Sequence, residues 1–247
     1  MAKEQTLLTS LTPTAISPVQ VPIGHVQLRD LIVCPRERGI INYVQQRSIA
    51  EHNLNEPEKP PRTLAKLTFT PNTLTSLAID GSPDTLLAAG GQEAEVHLSY
   101  YSPSGSGTRQ PPTSLVWQQE YSMNGSINNS VLLTSLTLTR SNQSSVEPRV
   151  GISNNDCTVT FYDIPLRAQN QRVLEQVGSL RLDVPVNHSS ISPDGLTLLS
   201  VGDSSKVYLH QIKGGSRISF SPIATLTLPP ANLSPFMYPS TSLAASF

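Results

Sequence analysis

The chain has 247 residues, 37% of them hydrophobic and only 14% charged, and its 17 Lys and Arg nearly balance 18 Asp and Glu. That balance leaves no bulk positive field to hold nucleic acid or an anionic membrane surface, and no run of about 18 apolar residues forms a membrane-spanning helix. Short apolar runs cut by 21 Pro and 14 Gly predict an all-β chain of many short strands.

Residues 1–20 carry a broken apolar pattern instead of the continuous core of a signal peptide, and read as a flexible segment ahead of a single domain over 21–247. Four units of four strands follow. The first, over about 26–71, holds LRDLIVC, GIINYVQQ, SIAEHNL and TLAKLTFT; the second, over about 72–122, holds LTSLAID, TLLAAGG, EVHLSYY and SLVWQQEY. The third, over about 130–184, holds VLLTSLTLT, RVGISNN, TVTFYDI and VGSLRLD; the fourth, over about 185–230, holds VNHSSIS, LTLLSVG, KVYLHQI and IATLTLP. Residues 240–247 open a further unit.

Equivalent positions in the third strands are Ile49, Val96, Val159 and Val207, at separations of 47, 63 and 48 residues. A period just under fifty with one enlarged unit is what tandem four-stranded blades with variable loops produce. The Ser-, Gly- and Pro-rich stretches 102–113 and 141–148 account for the enlargement as exposed loops. Ser192-Pro193-Asp194-Gly195 supplies a fixed φ at Pro and a free positive φ at Gly, which predicts a tight link between two strands, and Asp80-Gly81-Ser82-Pro83-Asp84 holds the equivalent place one unit earlier. Alternation in KVYLHQI puts Val207, Leu209 and Gln211 on one face and Tyr208, His210 and Ile212 on the other. Both faces carry apolar groups, as a blade sandwiched between neighbours requires.

Gly24-His25 ahead of a first strand, Asn155-Asp156 before Val159, Tyr162-Asp163, and Val201-Gly202-Asp203 before Val207 together resemble the WD40-type β-propeller. HVQLRDLIVCP, LTFTPNTLTSLAID and VNHSSISPDGLTLLSVGD are more closely similar to uncharacterised WD-repeat-like proteins of fungi with relatives in plants, a resemblance covering roughly residues 20 to 247. It implies antiparallel four-stranded blades, about four plus the first strand of a fifth, in a propeller left incomplete at residue 247. A seven-bladed ring would need on the order of 350 residues; a small closed four-bladed ring is the competing expectation. The resemblance further implies a non-catalytic scaffold or adaptor that binds other proteins or peptides through its faces and loops. Two departures stand out: no unit combines the family's His, Asp and Trp, and the second unit lacks the turn Asp.

Chemistry-bearing residues do not form a recognisable catalytic, cofactor or metal motif. His25, His52, His97, His188 and His210 show neither His-x-His nor His-Glu-x-x-His spacing. The resemblance gives His188 a place in a hydrogen-bonded turn network. Gly90-Gly91 and Gly214-Gly215 precede no Lys-Ser/Thr and read as hairpin turns, while Asp156 and Asp203 are expected to satisfy backbone amides. Arg36 and Arg38 around Glu37, and Arg167 with Arg172, read as solvated loop charge. Cys34 and Cys157 stand apart, which fits a reducing compartment and predicts a cytoplasmic or nuclear protein. Thr12, Ser17, Ser102, Ser221 and Ser234 each precede Pro and are candidate phosphorylation sites, Ser102 foremost because it borders the long loop. The alternative function is a propeller hydrolase resembling the lactonase type, which needs polar residues from several blades converging at the axis.

Overall fold

A computed structural model describes residues 12–13, 16–22, 30–36, 38–103, 113–135, 148–166, 173–214 and 217–228. Its described residues form sixteen strands in four antiparallel sheets. The first sheet holds β1 (Ile32–Val33), β2 (Ile40–Gln45), β3 (Ser48–Asn53) and β4 (Arg62–Lys66). The second holds β5 (Thr73–Ala78), β6 (Thr85–Gly90), β7 (Glu95–Pro103) and β8 (Thr113–Ser122). The third holds β9 (Asn128–Thr134), β10 (Arg149–Asn154), β11 (Thr158–Asp163) and β12 (Glu175–Arg181). The fourth holds β13 (Val186–Ile191), β14 (Thr197–Gly202), β15 (Lys206–Lys213) and β16 (Ser219–Thr227).

Every sheet runs in chain order, and β1, β5, β9 and β13 touch one another in series, so the first strand of each sheet is the inner one. This is a β-propeller of four-stranded blades, and among the described residues the sheets are not closed into a ring. The segment 240–247, the Gly24-His25 dipeptide, Glu37, Arg167 and Arg172 lie outside the described residues.

Tight turns set the strand ends. Gly195 takes φ 74° in the Ser192-Pro193-Asp194-Gly195 turn, and its amide donates to Ser192 O at 2.8 Å. Asp194 Oδ1 accepts from Ser192 Oγ at 2.5 Å and from the Leu196 amide at 3.0 Å, and these bonds hold its carboxyl below the usual range. Gly81, at φ 70°, turns the equivalent link in the second blade.

Several strand limits differ from the sequence expectation for physical reasons. The fourth blade's outer strand was expected to begin at Ile223 but begins at Ser219. Pro222 has no N–H to give the ladder, and the register shift beside it leaves Ile223 as the extra residue of a bulge on this edge strand. The inner strand of the third blade begins at Asn128, three residues before its first apolar residue, because Asn128, Asn129 and Ser130 are buried and hydrogen bonded. After Lys66 the chain leaves the sheet, and Leu67 and Phe69 turn into the core as part of the connection to β5.

Three apolar layers lie between consecutive blades. Val44, Ile49 and Ala65 meet Leu74, Leu87 and Ala89 between the first and second; Leu86, Val96 and Leu98 meet Val131, Val150 and Ile152 between the second and third. Between the third and fourth, Val159, Phe161 and Val177 meet Leu198, Tyr208 and Ile212, the face of KVYLHQI that alternation assigned to one side. Each such fully buried large side chain contributes about 1.5–3 kcal/mol.

Candidate functional site

In each sheet the start of the inner strand lies at the same end as the turn between the second and third strands, because the strands are antiparallel and in chain order. At this end the apolar layers give way to a polar seam. Between the second and third blades, the Val131 amide donates to Thr73 Oγ1 at 3.3 Å and Asn128 Nδ2 donates to Glu95 O at 2.8 Å. Asn154 Nδ2 donates to Asn128 Oδ1 at 2.9 Å, while Asn154 Oδ1 accepts the Ser126 and Asp156 amides. Gly90 is required beside it: a Cβ there would stand 2.9 Å from Asn128 Cβ and 3.0 Å from Thr73 Cγ2.

Between the third and fourth blades the seam is denser. Ser153 Oγ donates to Ser189 Oγ at 3.0 Å, and Ser189 and Ser200 hydroxyls meet at 2.9 Å, all three residues being buried. Asn129 Nδ2 donates to Val186 O at 2.9 Å. Such fully paired hydroxyl and amide groups cost little to bury, and the bonds fix the relative register of the two blades.

His188 gathers the seam at the axis. Its Nδ1 lies 3.0 Å from Ser130 Oγ and 3.4 Å from Asp30 Oδ2, so residues flanking or within the first, third and fourth inner strands meet on one imidazole nitrogen. Asp30 is itself anchored by its carbonyl, which accepts the Leu74 amide at 2.6 Å. The resemblance gave His188 a place in a hydrogen-bonded network, and its side-chain partners here come from other blades. Asp203, expected to hold a backbone amide, accepts from Asn187 Nδ2 at 2.8 Å, and Ser204 Oγ takes the amide of Lys206 in its stead. Asp156 does cap its turn, accepting the Thr158 amide at 3.0 Å.

The remaining candidates are dispersed. His97 is buried between the first and second blades, its Nδ1 3.6 Å from Glu120 Oε1, and Glu120 in turn accepts the Thr68 amide at 3.1 Å. Burial, offset in part by the Glu120 charge, pushes the His97 pKa down to about 4. His210 is buried on β15 and also titrates below its usual value through burial. His52 accepts or donates a bond with Ser17 Oγ at 2.8 Å. Arg36 is not free loop charge: its Nε donates to Thr85 Oγ1 at 2.8 Å and its Nη2 to the carbonyls of Ser82 and Asp84, tying the first blade to the second. Ser102 is bonded to the Asp84 carboxyl, which burial would push up but which hydrogen bonds from Ser102, Ser82 and Tyr100 and the Arg36 charge hold below its ordinary value. Asp163 of the Tyr162-Asp163 pair accepts from Arg149 Nε at 2.7 Å. Asp183 is held down to about 2 by Lys206 and by the Tyr208 hydroxyl. Among the described residues no three His, Cys, Asp or Glu side chains stand close enough to hold a metal ion.

Sequence reasoning missed Asp30, Ser130, Ser153, Ser189 and Ser200. The signal available was a run of polar residues, Asn128-Asn129-Ser130 and Asn187-His188-Ser189, at the same place in two consecutive repeats.

The order of the four sheets and the serial contacts of their inner strands define the class of a β-propeller, and solved structures with TM-scores of 0.50 and 0.51 share that fold. Sqt1 from Chaetomium thermophilum is 16% identical, with a TM-score of 0.50 over 76% of this chain and 44% of that one. The same protein bound to the N-terminus of the ribosomal protein L10 is 16% identical, with a TM-score of 0.49 over 70% and 42%. A protein from Lactobacillus plantarum is 13% identical, with a TM-score of 0.51 over 81% and 56%. The chain therefore spans less than half the length of the Sqt1 structures and little more than half of the Lactobacillus protein, and at these identities the likeness is one of fold alone. No protein-family model matches the chain, and no curated protein matches it in sequence.

Proposed function

We propose that this chain is a non-catalytic interaction scaffold of the WD-repeat type, akin to the WD-repeat-like proteins of fungi, working in the cytoplasm or nucleus on other proteins or peptides. The geometry at His188 carries this reading. Ser130 Oγ and Asp30 Oδ2 both approach Nδ1, whereas acyl transfer by a Ser-His-Asp set needs the hydroxyl on one ring nitrogen and the carboxylate on the other. With both partners on one nitrogen, the imidazole acts as a brace between blades. At the same end of the fold, Gln92, Glu93, Asp183 and Asp203 are exposed on turns and connections, where a rigid scaffold presents contact residues.

One observation favours the hydrolase resembling the lactonase type: Asp30, Ser130 and His188 do converge from different blades. The two readings separate by experiment. Affinity isolation of the tagged protein, followed by reconstitution from purified components, is expected to yield a stoichiometric complex, and a panel of lactones and aryl esters is expected to react no faster than in buffer. Turnover that disappears in His188→Ala would overturn the scaffold reading.

A further inference from the structure

The chain has eight Ser/Thr-Pro pairs, and Ser17 is set apart by a hydroxyl that meets a nearly buried histidine of the first blade. Ser82 and Ser192 lie in tight turns, their hydroxyls bonded to Asp84 and Asp194, and Thr70 is exposed in the connection between the first and second blades. Ser234 lies outside the described residues, and Ser102 and Ser221 sit within strands, where their backbones pair with Ser114 and Gln211. Thr12 is exposed. Ser17 lies in the non-strand segment 16–22, with Ile16 78% exposed and Pro18 and Gln20 also exposed, so the backbone around it is open to an enzyme. Its Oγ is 2.8 Å from His52 Nδ1, and His52 is only 3% exposed.

The register Ile41↔His52 and Tyr43↔Ala50 puts His52, Tyr43 and Ala50 on one face of the first blade. Val44, Ile49 and Ala65 form the opposite face, which packs on the second blade. Ser17 therefore fastens the N-terminal segment to the face turned away from the second blade, while Val21 packs at the first apolar layer.

We propose that Ser17 is a phosphorylation site for a proline-directed protein kinase, and that its modification detaches the N-terminal segment from the first blade. In the transfer, Ser17 Oγ attacks the γ-phosphorus of a magnesium-bound nucleoside triphosphate. The new Oγ–P bond forms as the bond to the nucleoside diphosphate breaks, and the hydroxyl proton passes to the kinase's base. The product carries about −1.5 to −2 charges and three acceptor oxygens. A group of that size and charge cannot follow the hydroxyl to a nearly buried imidazole without losing its water, so the segment moves outward.

The test uses the full chain and Ser17→Ala, each incubated with a MAP-type kinase and magnesium ATP. Phosphopeptide mass spectrometry locates the modification, and hydrogen exchange is followed over 16–22 and over β3. Phosphate is expected at Ser17 and to be missing from that peptide in Ser17→Ala. Amide exchange over 16–22 is expected to rise about tenfold on modification, the scale of one lost hydrogen bond, with β6 and β14 unchanged. Incorporation confined to any of the other seven Ser/Thr-Pro positions would overturn the assignment of the site. Stoichiometric Ser17 phosphate with unchanged exchange over 16–22 would overturn the detachment.

Discussion

Lowering the pH should destabilise this protein through His97 in a measurable and separable way. The imidazole is 1% exposed, and in the folded chain it stays neutral down to about pH 4, against 6.5 for an ordinary histidine. Below pH 6.5 the unfolded chain takes up a proton that the folded chain refuses, so the stability tied to neutral His97 is complete above 6.5 and is lost progressively toward pH 4. Fully expressed, that gap is worth about 3 kcal/mol, of which about 2 kcal/mol is lost between about pH 7 and about pH 5. The assay is urea unfolding followed by circular dichroism at both pH values for the wild type and for His97→Leu, which fills the site with an apolar group that does not titrate. Depressed carboxyls at Asp84 and Asp194, and His210, contribute alike to both proteins and cancel in the difference. The wild type is expected to lose about 2 kcal/mol more than His97→Leu over this interval. Equal losses would refute the reasoning, since they would mean that His97 titrates as freely in the folded chain as in the unfolded one.

Other perturbations read the seam and the edge. Gly202→Ala places a Cβ 2.0 Å from the carbonyl oxygen of Pro185, so the connection between the third and fourth blades must shift; a loss of about 1–3 kcal/mol is expected in chemical unfolding. Ser189→Ala strands the buried hydroxyls of Ser153 and Ser200 and should cost about 1–3 kcal/mol, whereas replacing all three serines by Ala should cost less than the sum of the single changes. Leu226, on the outer strand of the fourth blade, is 51% exposed, as is the neighbouring bulge residue Ile223 at 55%. The wild type is expected to self-associate through this exposed edge in light scattering, and Leu226→Lys to reduce that association while leaving the melting temperature within about a degree or two, as edge lysines do.

The strands were legible because their signals are local. Asp-Gly and Ser-Pro-Asp-Gly turns, the recurring third strand and the alternation in KVYLHQI each depend on a few neighbouring residues, and all sixteen strands fall in the expected groups of four. The seam was not legible, because Asn128, Asn129, Ser130 and Ser189 are turn-forming types whose burial depends on partners 26 to 58 residues away. Arg36 was misread for the same reason: its three acceptors lie 46 to 49 residues further along the chain. Hydrophobic periodicity identifies what faces a neighbouring blade only when the contact is apolar. The pairing of His188 with Ser130 and Asp30 needed the third dimension, since nothing in the spacing of 30, 130 and 188 links them.

The central claim, that this propeller holds partners and that His188 braces its blades, is tested most directly by light scattering on a complex reconstituted from the purified chain and an isolated partner, with lactone and ester turnover measured on the same sample. The account predicts a complex of fixed stoichiometry, turnover no faster than in buffer, and a His188→Ala chain that is less stable. A chain that elutes alone while hydrolysing substrate in a His188-dependent way would contradict it.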